Sequence, residues 1–163
     1  MKGRPSGPSR DPQTGPSFRL DRRGDDLDGL ADLWIASWQA AMPGIDFAAR
    51  RGWFLAYIGD IEAQGGETIC AFAAEHLLGF IVLDAARGVL EQIAVSPELF
   101  GTGVGALLLD EAKRLCPAGL SLEVNADNPR AVRFYEKAGF VAQEAGINPA
   151  SGLKTWRMRW PSG

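Results

Sequence analysis

Residues 89–141 read VLEQIAVSPELFGTGVGALLLDEAKRLCPAGLSLEVNADNPRAVRFYEKAGFV, and few folds need that order of parts. A buried strand, VLEQIAV, leads through a short loop into a glycine-spaced turn of Gly101, Thr102, Gly103, Val104 and Gly105. The turn opens an apolar helix over 106–115, a second strand LSLEV follows, and Asn128 then caps a helix over 129–138. Glycines at a helix start leave backbone N–H groups bare beside the positive end of the helix dipole, an arrangement that binds an anion, most often a phosphate. The spacing therefore predicts a phosphorylated cofactor held across a strand–loop–helix unit.

Two other readings of the turn stand beside this one. It could be a plain tight turn into a helix. It could also be a dinucleotide fingerprint, with Glu123 about twenty residues after Gly101 as a ribose-binding acid. Against the fingerprint, five residues separate Val95 from Gly101, whereas that motif turns at the strand end and normally opens its domain.

Outward from this stretch, residues 18–163 are expected to form one domain, since a chain of 163 residues leaves little room for a second. Residues 1–17, with prolines at 5, 8, 12 and 16 and no apolar periodicity, predict a flexible leader. A short strand is expected over 18–20, and Asp25 or Asp26 can cap the next helix. Along that helix Leu27, Leu30, Trp34, Trp38 and Ala41 form one apolar stripe. Asp46 can cap another helix, with Phe47, Phe54, Leu55 and Ile58 on its buried side. From Thr68 the period changes to two. TICAFAA, a Glu75-His76 turn and LLGFIVLD predict a hairpin, and a second turn over 85–88 leads into VLEQIAV. The tail LKTWRMRW alternates as a last strand. The fold class is mixed α/β: a mixed sheet flanked by helices, its two middle strands parallel because a crossover helix joins them.

Composition narrows the partners. A net charge of −3 shows no broad basic face for nucleic acid, and no apolar run approaches the ~20 residues of a membrane span. No secretory hydrophobic region is apparent, so a cytoplasmic location is expected. Cys70 and Cys116 lack metal-ligand spacing, and buried free thiols are expected of them.

The same stretch resembles the core of the GNAT acetyltransferase superfamily. The family's second motif, Asn-x-x-Ala-x-x-x-Tyr-x-x-x-Gly-Phe, is matched by Asn128, Ala131, Tyr135, Gly139 and Phe140. Its first, Gln/Arg-x-x-Gly-x-Gly/Ala, is matched by Gly103 and Gly105, with Phe100 where Gln or Arg is usual. The resemblance implies a GNAT-type sheet splayed between its parallel middle strands and acetyl-CoA as co-substrate. It implies an acceptor that is a small-molecule amine or a peptide N-terminus, and it leaves a homodimer open. It places Ile93, Ala94 and Val95 along the pantetheine arm. Phe100, Gly101, Thr102, Gly103, Val104, Gly105 and Ala106 fall around the pyrophosphate, with Asn128 nearby. Losing the Gln/Arg side chain would weaken that contact without abolishing it, since much of the cradle is backbone.

Tyr135 lies on a face with Ala131, Phe134 and Ala138 and reads as a core tyrosine. The resemblance makes it the acid that protonates the departing thiolate. A carboxylate must take the proton of an ammonium acceptor, and Glu123 and Glu91 are the two able to face the cleft. The C-terminal half is similar to ribosomal-protein N-terminal acetyltransferases, whose base is the Glu of a matching LEV strand, which favours Glu123. His76, the one histidine, falls in a hairpin turn and is expected to be exposed. Trp34, Trp38 and Met42 could line the acceptor side, although core packing explains the two tryptophans equally well. The competing class is a CoA-binding module without turnover, which Phe100 favours.

Overall fold

The computed structural model describes residues 18–149 and 151–161; the leader expected over 1–17 lies outside them. Strand β1 (Arg19–Arg22) precedes helix α1 (Leu27–Ala41), and a 3-10 turn (Ala48–Arg50) runs into α2 (Arg51–Ala63). The meander is β2 (Glu67–Ala73), β3 (His76–Asp84) and β4 (Val89–Val95). Helix α3 (Val104–Leu115), β5 (Gly119–Asn125), α4 (Pro129–Lys137), β6 (Val141–Ile147) and β7 (Lys154–Pro161) complete the chain. The strands form one sheet in the order β1-β2-β3-β4-β5-β7-β6, and β4 and β5 are its parallel pair. The mixed α/β sheet with parallel middle strands is as the sequence predicts.

Side-chain chemistry explains the ends of the helices. Asp26 accepts a hydrogen bond from the Gly29 N–H at 2.8 Å and caps α1. Asp46 accepts from the Ala49 N–H at 3.2 Å and starts the 3-10 turn ahead of α2. Between them, the Gln39 amide donates to the carbonyls of Ile45 at 2.8 Å and Pro43 at 3.2 Å. Its oxygen accepts from the Phe47 N–H at 3.3 Å, so one side chain fixes the path of the α1–α2 loop.

Alternation along the strands divides the core between the two faces of the sheet. On one face Ile81, Leu83, Leu90, Leu120, Leu122 and Met158 meet α3 and α4. On the other, Cys70, Phe80, Val82 and Ala94 meet α1 and α2 through Leu30, Trp34, Phe54 and Ile58. Trp34 is buried, stacked on Phe54 at 4.5 Å and edge-on to Phe47 at 5.7 Å, so core packing accounts for it.

Some boundaries differ from the sequence reading. The hairpin turn is Ala74-Glu75, with Ala74 at φ 51°, and His76 is already paired with Ala73 at the start of β3. His76 is exposed, as expected. Helix α3 begins at Val104 rather than at Ala106, because Gly103 at φ 96° ends the turn and Val104 is buried beneath it. Strand β6 has no counterpart in the sequence reading: every residue from Val141 to Ile147 is exposed, so no apolar alternation announces it.

The sheet opens at its middle. Strands β4 and β5 share one ladder pair, Val89 with Ser121, reinforced by the Ser121 N–H donating to the Gly88 carbonyl at 2.8 Å. Beyond that pair β4 bonds only to β3, and β5 only to β7. The β3–β4 register steps from Val82↔Gln92 to Leu83↔Leu90, leaving Glu91 as the extra residue of a bulge. A bulge sharpens twist and bends its strand, and here it lies where the two strands begin to part.

Phe54 is fully buried between Trp34 and Phe80. Phe54→Ala is expected to cost about 3–5 kcal/mol through lost contacts and the cavity left behind. A denaturant titration would read this as a lower midpoint with little change in slope.

Candidate functional site

The glycine turn sits at the C-terminal end of β4, where the fissure is open. Gly101 at φ 79° and Gly103 at φ 96° take left-handed conformations that favour glycine. A Cβ built on either would meet nothing within 4 Å, so the space in front of the turn is free. Two N–H groups are used inside the turn: Phe100 donates to the Pro97 carbonyl at 3.2 Å and Thr102 to Leu99 at 3.1 Å. The Thr102 hydroxyl also donates to Leu99, at 2.5 Å. The N–H groups of Gly101, Gly103, Val104, Gly105 and Ala106 have no partner among the described residues. They are free to meet an anion, as the sequence reading expects of this turn, while the N–H groups of Phe100 and Thr102 close the turn itself.

Gly105 has a packing role besides the place around the pyrophosphate that the resemblance implies. A Cβ there would lie 3.2 Å from Phe134 Cζ and 3.7 Å from Val95 Cγ2. The missing side chain lets α4 close against the start of α3. That packing brings the α4 face bearing Arg130 and Phe134 alongside the glycine turn.

Strand β4 supplies a second row of donors. The Ser96 N–H donates to the β3 carbonyl of Leu78 at 2.8 Å. Alternation along a strand then turns the N–H groups of Ile93 and Val95 to the opposite edge, facing the fissure, and that of Ala94 towards β3. An extended chain laid in the fissure would meet Ile93 and Val95 as it would meet a neighbouring strand.

Tyr135 is held at the same end by α4. Asn128 caps that helix by accepting from the Ala131 N–H at 3.2 Å, which occupies its side chain. The Tyr135 ring packs edge-on against Phe134 at 5.2 Å and Phe140 at 5.8 Å, and its hydroxyl has no hydrogen-bond partner among the described residues. Burial pushes the Tyr135 hydroxyl well above the ordinary range of a phenol.

The two candidate carboxylates lie on the opposite face of the sheet, in different surroundings. Glu91, on the bulge, is partly buried and accepts a hydrogen bond from the Tyr57 hydroxyl at 3.1 Å. Burial first, and then the Glu91 charge, raise Tyr57 far above its usual pKa. The Trp53 ring stacks on Tyr57 at 5.1 Å and is 50% exposed, an aromatic ledge beside Glu91. Glu123 is exposed and stands opposite Arg157 in the ladder, and Arg157 is ion-paired with Glu144. These three, with Ala145, Gly146 and Thr155, line an open pocket of ≈ 210 Å³. Met42 is tied to this side by the Asn125 amide, 3.6 Å from its sulfur, and Trp38 stacks on Phe47 at 5.7 Å.

Tyr57, Trp53 and Gln39 are absent from the sequence reading. Each acts through a contact with a distant or irregular segment, and none falls in a motif. Cys70 and Cys116 are free and buried, and burial raises both thiols, which suits neither as a nucleophile.

The fold is shared with known proteins. The sequence pattern of the family described as Acetyltransferase (GNAT) domain matches residues 56–161. The chain is 36% identical over 109 residues to the peptidyl-lysine N-acetyltransferase YjaB of Salmonella typhimurium, covering 65% of this chain and 73% of that protein. It is 33% identical over 85 residues to the peptidyl-lysine N-acetyltransferase YiaC of Escherichia coli, covering 52% of this chain and 57% of that one. The coenzyme A complex of the PaiA N-acetyltransferase from Thermoplasma acidophilum superposes with a TM-score of 0.71. The match covers 89% of this chain and 99% of that one at 20% identity, and it shows a shared fold. Neither sequence relative is a ribosomal-protein enzyme, so that likeness rests on the LSLEV strand alone.

The chain has two tyrosines, and the fold raises the pKa of both. A raised pKa means that the folded state keeps a proton the unfolded chain gives up. The contribution to stability is full below the unfolded phenol value of about 10 and is lost as pH rises through the folded values. Alkaline titration should therefore show little tyrosinate absorbance at pH about 10 in the folded protein, and both phenols ionising together with unfolding. A phenol that titrates near pH 10 while the protein stays folded would contradict the burial described.

Proposed function

Because the chain belongs to the GNAT acetyltransferase family, we propose that it moves the acetyl group of acetyl-CoA to a primary amine by direct attack in a ternary complex. The observation that carries this reading is the set of bare N–H groups at Gly101 and from Gly103 to Ala106, beside the open edge of β4. Phosphates seat against the turn, and the pantetheine arm runs along Ile93 and Val95 in place of a strand. The acceptor class we favour is the lysine ε-amine of a peptide, supported by the activity for which YjaB and YiaC are named. A net charge of −3 and carboxylates on the acceptor side suit a cationic group.

Each step then has a group to perform it. A carboxylate takes a proton from the ammonium, and the freed nitrogen attacks the thioester carbonyl. The N–H groups at the edge of β4 stabilise the oxyanion that forms. The tetrahedral centre collapses and the C–S bond breaks; the Tyr135 hydroxyl gives its proton to the departing thiolate, and the second proton shed by the attacking nitrogen returns through solvent to the tyrosinate. A phenol with no competing hydrogen bond is free to make that donation.

Of the two carboxylates, Glu91 is our first choice as base. It lies two residues from Ile93, Tyr57 fixes its orientation, and its surroundings are partly dry. Glu123, which the LSLEV resemblance favours, is exposed and faces Arg157, a setting that suits holding the acceptor in the adjoining pocket. A second reading, a CoA-binding module without turnover, draws on Phe100 at the Gln/Arg position. Lysine peptides and acetyl-CoA, followed by thiol release, separate the two: binding without release supports the module, and no binding at millimolar concentration refutes both.

Two substitutions test the chemistry. Tyr135→Phe keeps the ring against Phe134 and Phe140, so kcat should fall by about the 10²–10⁴ expected of a lost general acid while acetyl-CoA affinity holds. Normal turnover would make Tyr135 a packing residue. Glu91→Gln should abolish the acid limb of the pH–rate profile, leaving a rate that climbs with the unprotonated fraction of the amine. If Glu123→Gln does this and Glu91→Gln does not, the base is Glu123.

A further inference from the structure

Position 100 is where the family pattern has a Gln or Arg side chain, and this chain has an aromatic ring. That ring is occupied. The Arg130 guanidinium carbon lies 4.3 Å from the Phe100 centroid, closer than in any other cation–ring contact among the described residues. Arg130 is the second residue of α4, one turn before Phe134, whose ring lies against Gly105. The packing that seats α4 on the start of α3 therefore carries this guanidinium to the mouth of the glycine turn.

The charge of Arg130 is uncommitted. Arg22, Arg23, Arg51, Arg87, Arg114 and Arg157 each have a carboxylate partner, and Arg130 has neither an ion pair nor a hydrogen bond among the described residues. Stacking on a ring uses the face of a guanidinium and leaves its in-plane N–H donors available. Those donors suit two oxygens of a phosphate, and the stack reduces the side-chain freedom that binding would otherwise have to freeze.

We propose that Arg130, held flat on Phe100, is the cation that binds a cofactor phosphate at the glycine turn, so that a platform from the loop after β4 and a charge from α4 replace the family's single side chain. The proposal rests on the acetyl-CoA reading above. It removes the argument that Phe100 makes for a non-catalytic module, since the aromatic residue then has a place in binding.

The test compares dissociation constants of the full chain for acetyl-CoA and for S-acetylpantetheine, which has the same thioester arm and no nucleotide phosphate. Arg130→Gln should weaken acetyl-CoA about tenfold or more, flatten the salt dependence of its binding, and leave S-acetylpantetheine unchanged. Phe100→Leu, which keeps apolar bulk but removes the ring, should weaken acetyl-CoA by a smaller factor of about two to five. Phe100→Arg in the Arg130→Gln background should restore affinity to within about threefold of the starting protein. The proposal is overturned if Arg130→Gln binds acetyl-CoA normally, or if it loses affinity for both donors equally, which would mark a structural role. If Arg130→Gln keeps the full gain in affinity that acetyl-CoA shows over S-acetylpantetheine, this inference fails alone. If the unaltered chain binds neither donor, the acetyl-CoA reading fails with it.

Discussion

The single ladder pair between β4 and β5 is the constraint on which the rest of the structure depends. Buried backbone groups are almost always paired, so a sheet that opens at its centre leaves groups in need of a partner. Here β4 is held by β3 and β5 by β7, and the edges that would have met remain available beyond Val89 and Ser121. The bulge at Glu91 bends β4 where that edge begins, and Gly105 lets α4 fold down over the start of α3. A fissure of this kind cannot be moved without changing the register of β4. Its position decides where an extended arm could pair and where a phosphate could rest.

The connectivity of 89–141 was legible because strand, glycine turn, crossover helix and strand leave few topologies open. The caps at Asp26 and Asn128 were legible for a local reason, since a cap bonds to an N–H three residues away. Other features carry no local signal. Strand β6 is exposed along its whole length, so its pairing with β7 leaves no trace in hydropathy. Tyr57 and Glu91 are 34 positions apart, and only packing of α2 on the sheet joins them. Arg130 and Phe100 meet across the α3–α4 contact, which no motif describes. Gly105 is visible in the glycine motif, but its contact with the Phe134 ring is not, because only the seating of α4 on α3 brings the two together.

The two tyrosines show how position divides the roles of one side chain. Tyr57 is raised by burial together with the neighbouring Glu91 charge, and its hydroxyl is committed to that carboxylate. Tyr135 is raised by burial alone, and its hydroxyl is committed to nothing. In the proposed reaction the committed phenol holds the base in place, and the uncommitted one delivers a proton. If both had partners, protonating a thiolate would require breaking a buried hydrogen bond, which carries a desolvation cost of about 1–3 kcal/mol.

The same division runs across the sheet. Glycine turn, Tyr135 and Arg130 belong to the side of α3 and α4, while Glu91, Tyr57, Trp53 and Glu123 belong to the side of α1 and α2. In the proposed reaction a donor and an acceptor arrive from opposite faces and meet only where the sheet is open. The separation has an electrostatic reason. A cofactor with several negative charges and a cluster of carboxylates would repel each other on one face, whereas the cationic acceptor is attracted to the carboxylates. The sheet keeps the two charge systems apart, and its fissure is the place where a nucleophile from one side can reach a thioester from the other.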